Sequence, residues 1–143
     1  MNSFNGSLPS FQPFSSLREL DVEYNRLSGH FQDNFGNFSK LRVLDLKGNR
    51  FTGPFPNLSR LSASLVELSL GGNMFEGPLP VNIWNMSQLV HLDVSSSSLH
   101  GLISEAHLFN LSKLRSLDIS YNPTMTLHLS SSWNPLFNLI TLI

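Results

Sequence analysis

The chain repeats itself every 24 or 25 residues, and that period limits the folds open to it. From Leu17 the sequence reads LRELDVEYNRLSGHF; from Leu41, LRVLDLKGNRFTGPFP; from Leu65, LVELSLGGNMFEGPLP. Leu89 opens LVHLDVSSSSLHGLI, Leu114 opens LRSLDISYNPTMTLHL and Leu139 begins LITLI. A period of roughly 20–50 residues marks a solenoid, in which each copy buries its apolar edge only against its neighbours. The phase assigns full repeats to 17–40, 41–64, 65–88, 89–113 and 114–138. Partial repeats cover 1–16 and 139–143, so 1–143 reads as one repeat domain.

Each phase has a physical task. In LxxLxL the last two apolar positions are two apart, so both side chains fall on one face of a short strand. These pairs are Leu20/Val22, Leu44/Leu46, Leu68/Leu70, Leu92/Val94 and Leu117/Ile119. Three residues later come Asn25, Asn49, Asn73 and Asn122, with Ser97 in the fourth repeat. An amide both donates and accepts, so stacked copies predict a structural asparagine column that satisfies backbone groups where the strand turns away. Glycine follows at Gly29, Gly53, Gly77 and Gly101, where a turn with positive φ is expected. The expected architecture is a repeat solenoid: an arc with a short parallel β-sheet on its concave face and irregular or 3-10 segments on its convex face. Ser104–Asn110 is expected to hold a short helical turn there. In the fifth repeat Thr126 replaces the glycine, which predicts an irregular turn, with Met125 and Leu129 supplying the inward groups.

Composition narrows the function classes. A net charge of −1 provides no long-range field for nucleic acid or an anionic membrane. The absence of cysteine excludes disulfides, thiolate metal sites and a cysteine nucleophile. No apolar run approaches the roughly 18 residues of a membrane span, and MNSFNGSLPS lacks the features of a signal peptide. His30, His91, His100, His107 and His128 lack metal-ligand spacing. No G-x-S-x-G elbow occurs, and Gly71-Gly72 lacks the lysine of a phosphate loop. The chain is therefore expected to be no enzyme and to need no metal or cofactor.

The combination LxxLxLxxNxFxGxxP, spanning essentially the whole chain, resembles the plant-type extracellular leucine-rich repeat. That repeat builds the ectodomains of receptor-like proteins, of receptor-like kinases and of inhibitors of cell-wall-degrading enzymes. SSLHGLISEAHLFNLSKLRSLDISYN is similar to the later repeats of defence-associated receptor-like proteins. The resemblance implies a leucine-rich-repeat arc at the outer face of the plasma membrane or in the cell wall. It further implies a non-catalytic module that senses a peptide, glycan or protein ligand with a co-receptor kinase, in defence or development. The family's cysteine caps are missing, so the chain is expected to be an interior fragment. A secreted enzyme inhibitor and a non-functional truncated product are the alternative expectations. With apolar ends at Leu8/Phe14 and Leu139/Leu142, the chain alone is expected to be poorly soluble. A pectin-cleaving β-helix of similar period is disfavoured, because each repeat shows one clear strand pattern and its aspartates form a column rather than a local pair.

Repeat arrays bind through the concave sheet. The outward positions nominate Glu19, Asp21, Glu23 and Tyr24; Val43, Asp45 and Lys47; Glu67 and Ser69; His91 and Asp93; and Ser116 and Asp118. The first row is acidic, which fits a basic group on the ligand near Glu19 and Glu23. N-glycosylation is expected among the sequons at Asn5, Asn37, Asn57, Asn85 and Asn110. Trp84 and Trp133 are expected to shield the convex apolar layer.

Overall fold

A computed structural model describes residues 3–9, 11, 14–31, 38–135 and 138–143. The chain winds as successive coils; coils 1 to 5 open at Leu17, Leu41, Leu65, Leu89 and Leu114. Each LxxLxL segment forms an inner strand: Glu19–Asp21, Val43–Asp45, Glu67–Ser69, His91–Asp93 and Ser116–Asp118. With Thr141–Leu142 these make a six-stranded parallel sheet in chain order. Its register sets Leu20 against Leu44, Leu44 against Leu68, Leu68 against Leu92, and Leu92 against Leu117. The apolar pairs of coils 2 to 4 all point into the core, with Leu44, Leu46, Leu68, Leu70, Leu92 and Val94 at most 1% exposed.

The coil carries a second strand that the repeat pattern conceals. Asn5–Gly6, Arg26–His30, Arg50–Pro54, Met74–Pro78, Ser98–Ser104 and Thr124–His128 form another six-stranded parallel sheet. The signal is a period of two across Phe51, Gly53 and Phe55, all buried. The glycine hides it. Gly53 has φ 88, yet it lies within Arg50–Pro54 and pairs with Phe75, so the left-handed residue twists a strand instead of ending it. Inside this sheet the Phe51 and Phe75 rings stack at 6.4 Å and 12°, and Phe31 meets Phe51 edge-on at 5.8 Å.

The convex return is short and leaves Val81 and Phe109 exposed. It holds 3-10 turns at Ser59–Leu61 and Val81–Asn85 and one α-helical turn at Glu105–Leu108. Trp84 is buried and meets the His107 ring at 5.2 Å, while Trp133 packs half-buried against the core. Leu8 and Leu139 are half-buried, whereas Phe14 and Leu142 are exposed.

Coil 5 corrects the expectation of an irregular turn. Thr124–His128 pairs in regular parallel register with coil 4 over five residues, from Thr124 against His100 to His128 against Ser104. Without glycine the strand takes no left-handed residue, and Met125, Leu127 and Leu129 all pack against the core. A β-branched residue in place of glycine favours the straight strand.

Candidate functional site

The candidate site is the outward face of the inner sheet, and the asparagines tie the strands of that face together. Asn49 Oδ1 accepts the Leu27 N–H at 3.1 Å, while its Nδ2 donates to the carbonyls of Val22 and Leu46, both at 3.0 Å. Asn73 binds Phe51 N, Leu46 O and Leu70 O in the same way, and Asn122 binds Leu99 N, Val94 O and Ile119 O. Each amide thus ties its own coil to the preceding one. Asn25 does the same for Phe4 N and Val22 O at the first coil. In coil 4 Ser97 offers a single 3.5 Å hydroxyl contact, to the Asn73 carbonyl. The amide bonds that would join coil 4 to coil 3 are therefore replaced by one weak one.

Before each of these residues the backbone turns left-handed, at Tyr24, Gly48, Gly72, Ser96 and Tyr121, with φ from 49 to 66. This column was not legible from spacing, since its residue types differ. Non-glycine residues are costly there. Tyr24 lies over Gly48, where a Cβ would come 2.6 Å from the ring.

On the sheet itself, outward side chains stand in columns about 4.8 Å apart from coil to coil. The aspartates first serve the backbone. Asp21 accepts from Glu23 N at 3.1 Å, Asp45 from Lys47 N at 2.9 Å, Asp93 from Ser95 N at 3.0 Å and Asp118 from Ser120 N at 3.0 Å. Lys47 then leaves its own coil and places Nζ 2.5 Å from Asp93 Oδ2, two coils away. Gly71 makes this possible. A Cβ there would sit 2.6 Å from Asp93 Oδ1 and 2.7 Å from Ser95 Oγ. The bridge covers Asp93, which is 2% exposed, so the side chain presented to solvent at this point is Lys47. Ser69 is also buried, whereas Glu19, Asp21, Glu23, Tyr24 and Glu67 are exposed, and Val43, Asp45, His91, Ser116 and Asp118 are half-buried.

The electrostatics follow from that reach. Burial would raise the Asp93 carboxyl, but hydrogen bonds from Lys47 and Ser95 outweigh it and hold the group below the usual carboxylate value. The same hydrogen bond to Asp93 raises Lys47. Asp45 is pushed up by burial and by the charges of Glu23 and Asp21, which together outweigh the lowering by the Lys47 amide and ammonium. Coils 1 and 2 thus present an acidic end, and the bridge lies beyond it.

On the convex side Asn57, Asn85 and Asn110 are exposed. Asn57 Oδ1 accepts from Ser59 N at 3.1 Å and Asn82 Nδ2 at 2.9 Å, and Asn110 Nδ2 donates to Asn85 Oδ1 at 3.2 Å. Asn5 is exposed on the first strand of the second sheet; Asn37 lies outside the described residues. Among the described residues no group of three His, Cys, Asp or Glu side chains could hold a metal ion, and no helix is long and apolar enough to cross a membrane.

The family description "Leucine rich repeat" matches residues 15–75. No curated protein sequence matches significantly. Among solved structures, the chain is similar to the ectodomain of the receptor kinase SOBIR1 from Arabidopsis thaliana. The identity is 31% and the TM-score 0.80, over 90% of this chain and 70% of that one. The ectodomain of the Arabidopsis thaliana membrane receptor kinase GASSHO1/SCHENGEN3, in complex with CASPARIAN STRIP INTEGRITY FACTOR 2, is 33% identical with a TM-score of 0.77. That match covers 85% of this chain and 15% of the receptor's. The Arabidopsis receptor kinase HAESA, in complex with a peptide hormone, is 29% identical with a TM-score of 0.76, over 88% and 21%. The chain thus spans only about a fifth or less of the length of these two receptor ectodomains. The repeated strand and amide pattern together with these likenesses shows that the chain belongs to the plant leucine-rich-repeat ectodomain family.

Proposed function

We propose that this chain is a non-catalytic, extracellular binding module of a plant cell-surface receptor, which takes an extended peptide across its inner sheet with a co-receptor kinase as second partner. The carrying observation is the register of six consecutive parallel strands, which sets outward side chains in fixed columns across the coils. A rigid grid of this kind recognises a ligand without ordering itself first, which lowers the entropic cost of binding. The peptide complexes of similar ectodomains support the ligand class. The exposed carboxylates of Glu19, Asp21 and Glu23 favour a ligand with a basic group at the coil 1 end. The sequons at Asn57, Asn85 and Asn110 are exposed on the opposite, convex side, so N-glycans attached there would leave the grid open.

Selection of a random peptide library on the chain, followed by amide exchange of the complex with the best binder, tests the reading. Protection should concentrate on Val43–Asp45, Glu67–Ser69 and the segments between those strands and their asparagines. Protection confined to Ser59–Leu61 and Val81–Asn85 would overturn it. Replacing Glu19 and Glu23 together by alanine should weaken a basic peptide and leave a neutral one unchanged.

A further inference from the structure

Five of the nine lysines and arginines stand on one flank of the arc, where the chain enters each inner strand: Arg18, Lys40, Arg42, Lys113 and Arg115. Two columns produce this. The residue before each coil's first leucine is Ser16, Lys40, Ser64, Gln88 and Lys113, with Asn138 before Leu139; the residue after it is Arg18, Arg42, Val66, Val90 and Arg115. The second column is locked to the sheet edge, because each of its carbonyls accepts two amides of the next coil. Arg18 O takes Arg42 N at 2.8 Å and Val43 N at 3.2 Å, and Val90 O takes Arg115 N at 2.8 Å and Ser116 N at 3.2 Å. Arg18 and Arg42 therefore stand side by side on adjacent rungs, about 4.8 Å apart.

Arg18, Lys40 and Arg42 line one cavity of about 440 Å³ with Ser64 and Gln88. Lys113 and Arg115 line another of about 340 Å³ with Ser112 and Asn138, further along the same flank. Neither cavity is lined by a carboxylate among the described residues, and the nearest acids in sequence, Glu19 and Glu67, belong to the inner face. Among the described residues none of the five cations makes a salt bridge; Lys113 only donates to Gln88 Oε1, at 2.6 Å. Like charges held on neighbouring rungs without counter-charge repel one another, and an anion lying across them relieves that repulsion.

The geometry points to this flank as a second binding site, for an acidic polysaccharide of the polyuronate type lying lengthwise across the coils. Charge complementarity requires a polyanion that meets cations at coils 1–2 and again at coil 5. The neutral groups between and beside them choose among polyanions. Ser64, Gln88, Ser112 and Asn138 offer hydroxyls and amides, which pair with sugar hydroxyls. No aromatic ring lines either cavity, so the stacking platform of a nucleic-acid groove is missing. The site is separate from the peptide grid on the inner face and does not depend on it.

Titration of the 143-residue chain with an oligogalacturonide long enough to span five coils tests the assignment. Binding is expected to be saturable, to weaken with added salt, and to vanish for the fully methyl-esterified oligomer. The variant Arg18→Gln/Lys40→Gln/Arg42→Gln, with all three changes at exposed positions, should keep its melting curve and lose about tenfold in affinity. The Arg26→Gln/Arg50→Gln variant, which removes two cations of the second sheet, should bind normally. Equal loss in both variants, equal affinity for polyglutamate of matched charge, or no saturable binding at low salt would each overturn the proposal. A flank that fails these tests leaves peptide protection of the inner strands unaffected, so the two readings fail separately.

Discussion

Lys47 reaches past a whole coil to pair with Asp93, its ammonium 2.5 Å from a carboxylate that lies over the bare backbone of Gly71. The pair runs from coil 2 to coil 4, across the junction where Ser97 supplies no amide tie. A side-chain bond on the outside of the sheet thus reinforces the array where the interior is weakest.

Removing the cation strands a buried carboxylate. Lys47→Met should cost about 1–2 kcal/mol in urea unfolding, less than a fully buried pair because Lys47 is 35% exposed. The sign with pH follows from the shifts. Asp93 titrates below its ordinary 3.8 in the folded chain, so its contribution is complete above 3.8 and fades as pH falls through the lower folded value. Lys47 titrates above 10.5, so its share is complete below 10.5 and fades as pH rises through the higher folded value. The gap between wild type and variant should therefore close at both extremes and stay constant between them.

Two glycine substitutions separate space from backbone strain. Gly71→Ala puts a methyl 2.6 Å from Asp93 Oδ1 and should break the bridge, with a loss of about 2 kcal/mol or more. Gly77→Ala meets nothing within 4 Å and pays only for its φ of +86, about 1–2 kcal/mol. In a Lys47→Met background the Gly71→Ala penalty should shrink while that of Gly77→Ala stays the same. Equal behaviour of the two in that cycle would contradict the bridge.

The inner strands and the buried amides were legible because their spacing repeats and each residue type has one task there. The second strand was not, because Gly53 and Gly77 fall where alternation would otherwise declare it, and positive φ reads locally as a turn. The Lys47–Asp93 pair was unreadable for a different reason. Each residue looks like an ordinary member of its own column, and only the three-dimensional gap at Gly71 joins positions 46 apart. The acidic row at Glu19, Asp21 and Glu23 was visible as charge, but the reach of the neighbouring Lys47 to coil 4 was not.

The amide column yields a stabilising change. Ser97→Asn restores the donor and acceptor that Asn49, Asn73 and Asn122 supply in their coils, and should raise the urea midpoint by the equivalent of about 1 kcal/mol. Asn73→Ala should cost about 3 kcal/mol, since it leaves buried backbone groups of coils 2 and 3 without partners. A Ser97→Asn protein that unfolds earlier than wild type would contradict the tie between coils.

Asp45 carries the opposite pH signature. Its carboxyl titrates above 3.8 because burial and the charges of Glu23 and Asp21 disfavour ionisation, so the folded chain gains stability as pH drops through that window. Asp45→Asn keeps an acceptor for the Lys47 amide and should stabilise the chain at neutral pH by about 0.5 kcal/mol, discounted for exposure. Thermal melts below pH 3.8 should show no benefit.

The cross-coil amide bonds join residues 21 to 28 positions apart, so each coil that carries the asparagine obeys the same bonding rule. Along its inner strands and amide column such a molecule can lengthen or shorten only by complete turns. Duplicating one whole copy in the gene preserves the rule at both new junctions, whereas a single codon added between Leu41 and Asn49 breaks it. A codon added on the outer return, between Leu99 and Leu114, is absorbed, and the longer spacing from Leu89 to Leu114 already records one such addition.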